Sequence, residues 1–418
     1  MTRPFSSLGA RAVSRTLVAA LGVLCAAAGA GAAFPVVALA QAAGPIPCGD
    51  VAALKAAIAS ANSTPTTPAT IVLAPGCRYR LTSADNGENG LPVVESPITV
   101  DGAGATIAGN GGFRIWDVGA QGSLTLHLVD VTGGRASHGG GILNQGTLRL
   151  DASRVYGNAV DIAGAADGGG LYNAGTAVLS AGRVDDNSVA SSTDVAAGGG
   201  IENTGHLTVR STRVDHNRAA GVEDAGIGGG VDNGFGGTLE VDGGQIADNV
   251  ATSVTETASG GGVSNAGTAV LRASAVSGNT ATSPQGNARG AGLANVNTLT
   301  LDSATVSGNT ATSAGVVGGG IYAGGGLTVI ASHVEDNMVD NTGSADSAAL
   351  GAGIFLAGGN DNVLTASSII RNRAVGSGAE GGGVFVLGSA TVRAVATTVT
   401  ANQPDNCSPP GSVAGCQG

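Results

Sequence analysis

The stretch GGGIENTGHLTVRSTRVDHN, residues 198–217, holds three glycines, a short apolar alternation and a closing asparagine, and this order of features returns along most of the chain. Triple glycines, or Gly-Ala-Gly, begin at 139, 168, 198, 228, 260, 290, 318, 351 and 381, a mean spacing of 30.25 residues. With φ for an apolar residue, each unit reads G-G-G-φ-x-N, then a run such as His206-Leu207-Thr208-Val209, then φ-x-x-N. Alternation of period two over three to five residues is strand periodicity, and helical spacing is absent from the units. A unit this small cannot bury an apolar side alone, so a chain of them gains a core only by stacking. The expected fold is all-β: a single-stranded right-handed parallel β-helix with three short strands per coil and nine clear coils from residue 139.

The closing asparagine never fails: Asn158, Asn187, Asn217, Asn249, Asn279, Asn309, Asn337, Asn372 and Asn402. An earlier one appears in six units, at Asn144, Asn173, Asn203, Asn233, Asn265 and Asn295. Identical amides repeated at the strand spacing of about 4.8 Å can hydrogen-bond along the stack, so both sets are read as Asn ladders rather than as catalytic groups.

Ahead of the units, Asp50 to Asn62 (DVAALKAAIASAN) carries apolar residues at helical spacing behind an aspartate suited to N-capping. A short helix there would cover the open first coil. Strand-like runs at Thr70–Ala74, Pro97–Asp101, Ala105–Ala108 and Ser123–Val131 suggest a few less regular coils before residue 139. Further upstream, Arg3, Arg11 and Arg15 precede an apolar run from Leu17 to Ala33, and Ala38-Leu39-Ala40 closes it. That is the pattern of a secretory signal cleaved near Ala40. The expected organisation is a signal over 1–40, a cap over 41–65, the β-helix over 66–403 and a tail over 404–418.

Glycine is abundant, at 73 residues, and aromatics make up only 3%, which suits a thin core of Val, Leu, Ile and Ala. Without the signal, 16 basic and 30 acidic side chains remain, a formal charge of −14, which argues against nucleic acid and anionic membranes as partners. No later apolar stretch is long enough to span a bilayer. Four cysteines remain, two near each end, and the favoured pairing is Cys48–Cys77 and Cys407–Cys416, as an oxidising compartment allows. Neither pair has the C-x-x-C spacing of a metal site.

GGGI-x-N followed by V-x-x-N resembles the polymorphic outer membrane protein repeat, whose hallmarks are GGAI and F-x-x-N. Here Val155, Val184, Val214, Ile246, Val276, Val306, Val334, Ile369 and Val399 stand in place of the phenylalanine. IVLAPGCRYRLT followed by ITVDGAGATI also looks like secreted bacterial right-handed β-helix proteins. The resemblance covers about residues 48–418 and is specific for fold. It implies a surface adhesin, although the C-terminal barrel of that family has no counterpart in the sixteen residues after Asn402.

Strand alternation turns φ and Asn inward and x outward, giving an exposed row of Leu143, Tyr172, Glu202, Asp232, Ser264, Ala294, Tyr322, Phe355 and Phe385. Glu202 and Asp232 then stand about 5 Å apart on adjacent coils. Such a pair could share a proton, or serve as acid and nucleophile on a glycan, with Tyr172 stacking on a sugar ring. Tyr322, Phe355 and Phe385 form the most binding-like patch. A second row, Arg154, Arg183 and Arg213, could meet an anionic glycan, or could interleave with Asp185 and Asp215; His333 and Glu335 repeat that pattern. The signatures N-T-D, G-H-G and R-I-K of polygalacturonases are missing. The acids Asp161, Asp167, Asp194, Glu223, Asp224, Glu256, Asp340, Asp346 and Glu380 are assigned to edge loops, where they could attract Ca²⁺ or discourage strand-edge association. GGNDN at 358–362 is only a single, unregistered echo of a Ca²⁺-binding repeat, so no metal ligand and no cofactor is assigned. The expected function is a secreted, non-catalytic β-helix that binds a polysaccharide or a cell surface. The alternative is a carbohydrate-active enzyme, a lyase or hydrolase, using Glu202 and Asp232.

Overall fold

The structure is a computed structural model that describes residues 44–341, 348–358 and 362–417. The expected signal at 1–40, Asp346 and the middle of GGNDN lie outside the described residues. From residue 69 onward the chain winds as a right-handed parallel β-helix. An eleven-stranded sheet takes one strand from each coil, from Trp116–Val118 to Cys407–Ser408. A 22-stranded and a 13-stranded sheet form the other faces.

The coil holding the stretch 198–217 shows how the sequence makes the turns. Three faces were expected, and three are found, but two of them are broken into shorter strands. Ile201–Asn203 belongs to the eleven-stranded sheet, and His206–Arg210 and Arg213–Asp215 belong to the 22-stranded one. Arg218–Gly221 and the next arm, Gly226–Ile227, lie in the 13-stranded sheet. The 22-stranded face breaks at Ser211 (φ 45°) and turns into the 13-stranded face at His216 (φ 57°), both left-handed and each beside a polar residue whose side chain bonds the backbone. At the remaining corner Gly198 has φ 63°, which disfavours a side chain there. At Gly200 a Cβ would lie 2.7 Å from the carbonyl oxygen of Gly230 on the next coil. The glycine triplet is therefore what allows this corner to be tight and the coils to nest.

Inside, one or two apolar side chains per strand stack on their equivalents. Leu207 pairs with Leu239 and Val209 with Val241, all buried. The 13-stranded face presents smaller side chains, such as Ala258, Ala281, Ala288 and Ala311. Burial at roughly 25 cal/mol per Å² of apolar surface is then spread along the whole axis rather than concentrated in one nucleus.

Both ladders form. Each closing asparagine donates from Nδ2 to Oδ1 of the next, and the backbone N–H of each donates to that same oxygen; Asn217 meets Asn249 at 3.0 Å by both routes. Asn217 Nδ2 also donates to the carbonyls of Val184 and Asp215, at 2.9 and 3.1 Å. The earlier asparagines bond likewise from Asn144 to Asn295, with spacings of 2.6 to 2.7 Å.

The ends are closed differently. A helix, Val51–Asn62, is capped by Asp50, whose Oδ1 accepts from Ala53 N–H at 2.9 Å. It buries Leu54, Ile58 and Ala61 against the first strands. Disulfides join Cys48 to Cys77 and Cys407 to Cys416, and the second loop buries Val413 in the main core. Among the described residues no helix is long and apolar enough to cross a membrane.

Candidate functional site: a groove at the glycine corner

The row expected to face open solvent does not. Glu202 is 6% exposed, Asp232 5%, Phe355 4% and Phe385 9%. Alternation turns these side chains away from the core, as expected, but the glycine corner makes that outer side re-entrant. The corner is so tight that a Cβ on Gly198 would lie 2.6 Å from the nitrogen of Glu202. The short arm strand before the triplet therefore stands as one wall of this corner and the x residues as the other, with several x side chains buried between them.

The two walls are offset by one coil. The arm residue just before each triplet faces the x residue of the following coil. His138 meets Tyr172, with ring centroids 5.9 Å apart. Asp167 acts electrostatically on Glu202. Arg289 lies over the ring of Tyr322 at 5.6 Å, and Glu380 accepts from the Ser408 hydroxyl at 2.8 Å. His138 and Asp167 are themselves neighbours on adjacent arms, with Nδ1 and Oδ2 3.1 Å apart.

Glu202 and Asp232 are register partners, flanked by Tyr172 and Ser264 on the outer coils. Burial pushes the Glu202 carboxyl well above the ordinary range, and the nearby Asp232 and Asp167 add to the effect. Asp232 is raised to about 6, chiefly by burial, while hydrogen bonds from Ser264 and Glu202 act the other way. Both carboxyls therefore hold a proton to higher pH than an ordinary carboxylic acid does. Glu202 Oε2 and Asp232 Oδ1 are buried without a hydrogen-bond partner. Asp167 is also raised, mainly by burial, with His138 opposing. The three acids at this corner are thus weaker than ordinary carboxylic acids, chiefly through burial.

The other sequence candidates are placed as follows. Tyr322, Phe355 and Phe385 do stack on successive coils, with centroids 5.7 and 5.4 Å apart and planes within 9°. The rings cover each other's faces, so the expected exposed binding patch is instead a buried aromatic ladder. Arg154, Arg183 and Arg213 are in register, as expected. Arg154 forks onto Asp185 and Arg183 onto Asp215, each on the following coil. Both aspartates are fully buried, so these arginines neutralise internal charge and the anionic-glycan reading of them is set aside. Arg213, half-exposed, approaches Asp215 at 3.7 Å. Glu335 pairs with Arg371 rather than His333.

Asp167 is a groove residue, not an edge-loop acid, and Glu380 likewise. Asp161 pairs with Arg135 at 2.5 Å. Among the described residues no group of three or more His, Cys, Asp or Glu is arranged to hold a metal ion.

Sequence reasoning missed the arm row and one loop. Aligning the residue before each triplet would have produced the column His138, Asp167, Ala197, Ile227, Ser259, Arg289, Val317, Leu350 and Glu380, whose pairings read along the structure. The loop after Asn233 is four residues, Gly234-Phe235-Gly236-Gly237, where the neighbouring coils use two. Phe235 is 84% exposed on this insertion, and a Cβ on its neighbour Gly234 would lie 3.2 Å from Glu202 Oε1.

Fold and site together define a right-handed parallel β-helix with a buried acid pair at its glycine corner. No family model matches the chain, so membership of the polymorphic outer membrane protein repeat family is not confirmed, and no curated protein is similar to it in sequence. Among solved structures it is similar to the A-module of the mannuronan C-5 epimerase AlgE6 of Azotobacter vinelandii. The identity is 16%, over 88% of this chain and 98% of that one, with a TM-score of 0.39.

Proposed function

We propose that this is an extracellular, adhesin-like β-helix that binds a polysaccharide along the groove without cleaving it. The observation that carries the reading is the alignment of Tyr172, Glu202, Asp232 and Ser264 on four successive coils. Strands at about 4.8 Å give the groove a repeat that an extended polymer can follow. A protonated acid beside an acceptor carboxylate can serve sugar hydroxyls as donor and acceptor. Exposed Phe235 offers an apolar ring next to them. The two disulfides and the signal-like first forty residues support an oxidising, extracellular setting.

The second reading, an enzyme, draws on the weakened acidity of the same pair. Incubation with a panel of neutral and uronate polysaccharides, with binding and product formation measured together, separates the two. Binding without products, weakened about tenfold in Tyr172→Ala, is expected. Products that vanish in Glu202→Gln or Asp232→Asn would establish the enzyme instead. Absence of binding to every glycan would overturn the groove reading.

A further inference from the structure

Four acidic side chains are buried among the described residues: Asp185, Glu202, Asp215 and Asp232. Asp185 and Asp215 each receive an arginine fork, from Arg154 and Arg183. Glu202 and Asp232 receive none. No basic group acts on either carboxyl, and the charges that reach them are each other and Asp167. Five buried side-chain polar atoms in the described chain have no hydrogen-bond partner, and the only carboxyl oxygens among them are Glu202 Oε2 and Asp232 Oδ1. A hydrogen bond between the two carboxyls occupies one oxygen of each and leaves this second pair without a donor. Buried oxygens in that state cost folding free energy unless a water or an ion meets them.

The backbone departs from the repeat at the same coil. The turn after Asn233 is two residues longer than its neighbours, and three of its four residues are glycine. It lies against Glu202, since a Cβ on Gly234 would be 3.2 Å from Oε1. A glycine turn brings backbone carbonyls close where side chains would not fit. On the following coil Ser264, the register partner of Asp232, adds a hydroxyl that hydrogen-bonds its carboxyl.

We infer that Glu202 and Asp232 are ligands of a calcium ion, with oxygens of Ser264 and of the turn 234–237 completing its shell. A divalent cation supplies together what the pair lacks: it neutralises two buried carboxylates and meets both unpartnered oxygens. The donors are all oxygen, which selects a hard ion over zinc or copper. Magnesium keeps several of its waters, and residues only 5 and 6% exposed leave little room for them. Calcium accepts carboxylates, hydroxyls and carbonyls in irregular arrangements. Asp167, across the corner, adds negative charge without joining the pair as a third carboxylate ligand. The inference goes beyond glycan binding and does not depend on it, because the corner holds the ion with or without a polymer.

The test uses the full chain, stripped with chelator and then melted near neutral pH with calcium or magnesium chloride at equal ionic strength. Calcium at about 10 mM should raise Tm by roughly 3 °C, and magnesium by less. Calorimetric titration of calcium into the stripped protein should show a single site. Glu202→Gln and Asp232→Asn should each lose the calcium increment, and both should still fold in chelator, because each removes one of the crowded acids. Glu223→Gln, at an exposed acid of the edge loops, should keep the increment. Absence of any increment in wild type overturns the site. So does an increment that survives when Glu202→Gln and Asp232→Asn are combined. An equal rise with magnesium overturns the choice of calcium. The polysaccharide panel is read separately: calcium binding without glycan binding keeps this site and removes the glycan reading, and the reverse removes this site alone.

Discussion

Asp167 stands on the arm of one coil and Glu202 on the floor of the next, and burial raises both carboxyls above their ordinary range. With Asp232 beside them, three acids crowd into one corner, and His138 Nδ1 lies 3.1 Å from Asp167. Such a cluster costs folding free energy wherever it must ionise.

The sign of that cost gives the first prediction. For Asp232 the folded value is about 6 against an ordinary 3.8, so the folded chain holds a proton that the unfolded chain has released between those values. Stability therefore falls as pH rises through this window, and Glu202, also raised from its ordinary 4.5, adds to the fall. Glu202→Gln and Asp232→Asn should each raise Tm at pH 7.5 by roughly 2–4 °C and flatten the decline. Thermal melts from pH 3.5 to 8 check this. A wild-type Tm that rises across pH 4–6 by an amount these variants remove would contradict it.

The closing ladder gives the second. Removing the Asn217 amide strips Asn187 of its acceptor and leaves the carbonyls of Val184 and Asp215, and Asn249 Oδ1, short of a donor. Several buried groups lose partners at once, so Asn217→Ala should cost about 3–5 kcal/mol. Asn217→Asp should be comparably harmful, since it removes the Nδ2 donor and buries a charge. Denaturant unfolding with hydrogen exchange should show the loss centred on the neighbouring coils, as expected for a stack with nearest-neighbour coupling.

Arg183 gives the third. Its Nη2 meets Asp215 at 2.7 Å, and Asp215 is fully buried while Arg183 is 39% exposed. Arg183→Ala should destabilise by about 1–3 kcal/mol, less than a wholly buried pair because solvent screens the arginine and Arg213 remains 3.7 Å from the same carboxylate. Arg183→Ala with Asp215→Asn should recover part of that loss, and a double-mutant cycle measures the coupling. Glycan binding should be unaffected by either.

These outcomes follow how much of the molecule is written locally. The coil is legible because Gly198, Ile201, Asn203, Leu207 and Asn217 each obey a rule of backbone conformation, alternation or repetition. The register of Glu202 with Asp232 is legible for the same reason, since equal spacing from the glycines puts the two side by side. Their burial is not, because alternation says only that a side chain leaves the core, and not whether another strand waits outside. Here the positive φ of Gly198 folds the arm back over the row. The same blindness made Asp167 an edge-loop acid and Phe355 a surface patch. The partner that covers each belongs to the preceding coil, about thirty residues away in sequence.

Phe355 turns that lesson into the last prediction. The ring lies between Tyr322 and Phe385 with both faces covered, and only 4% of the residue is exposed. A binding aromatic would present a face to its ligand, and its loss would weaken affinity with little change in stability. A buried ladder behaves the other way. Phe355→Ala should cost about 3–5 kcal/mol, through lost burial and the cavity left between two rings. Phe355→Leu should cost less, since the volume is largely kept while the stacking is lost. Neither should change affinity for a glycan engaged at Tyr172, Glu202 and Asp232, provided binding is measured below the lowered melting temperature. A Phe355→Ala protein of wild-type stability with tenfold weaker binding would return this stack to the ligand surface, and would move the site along the groove away from the acid pair.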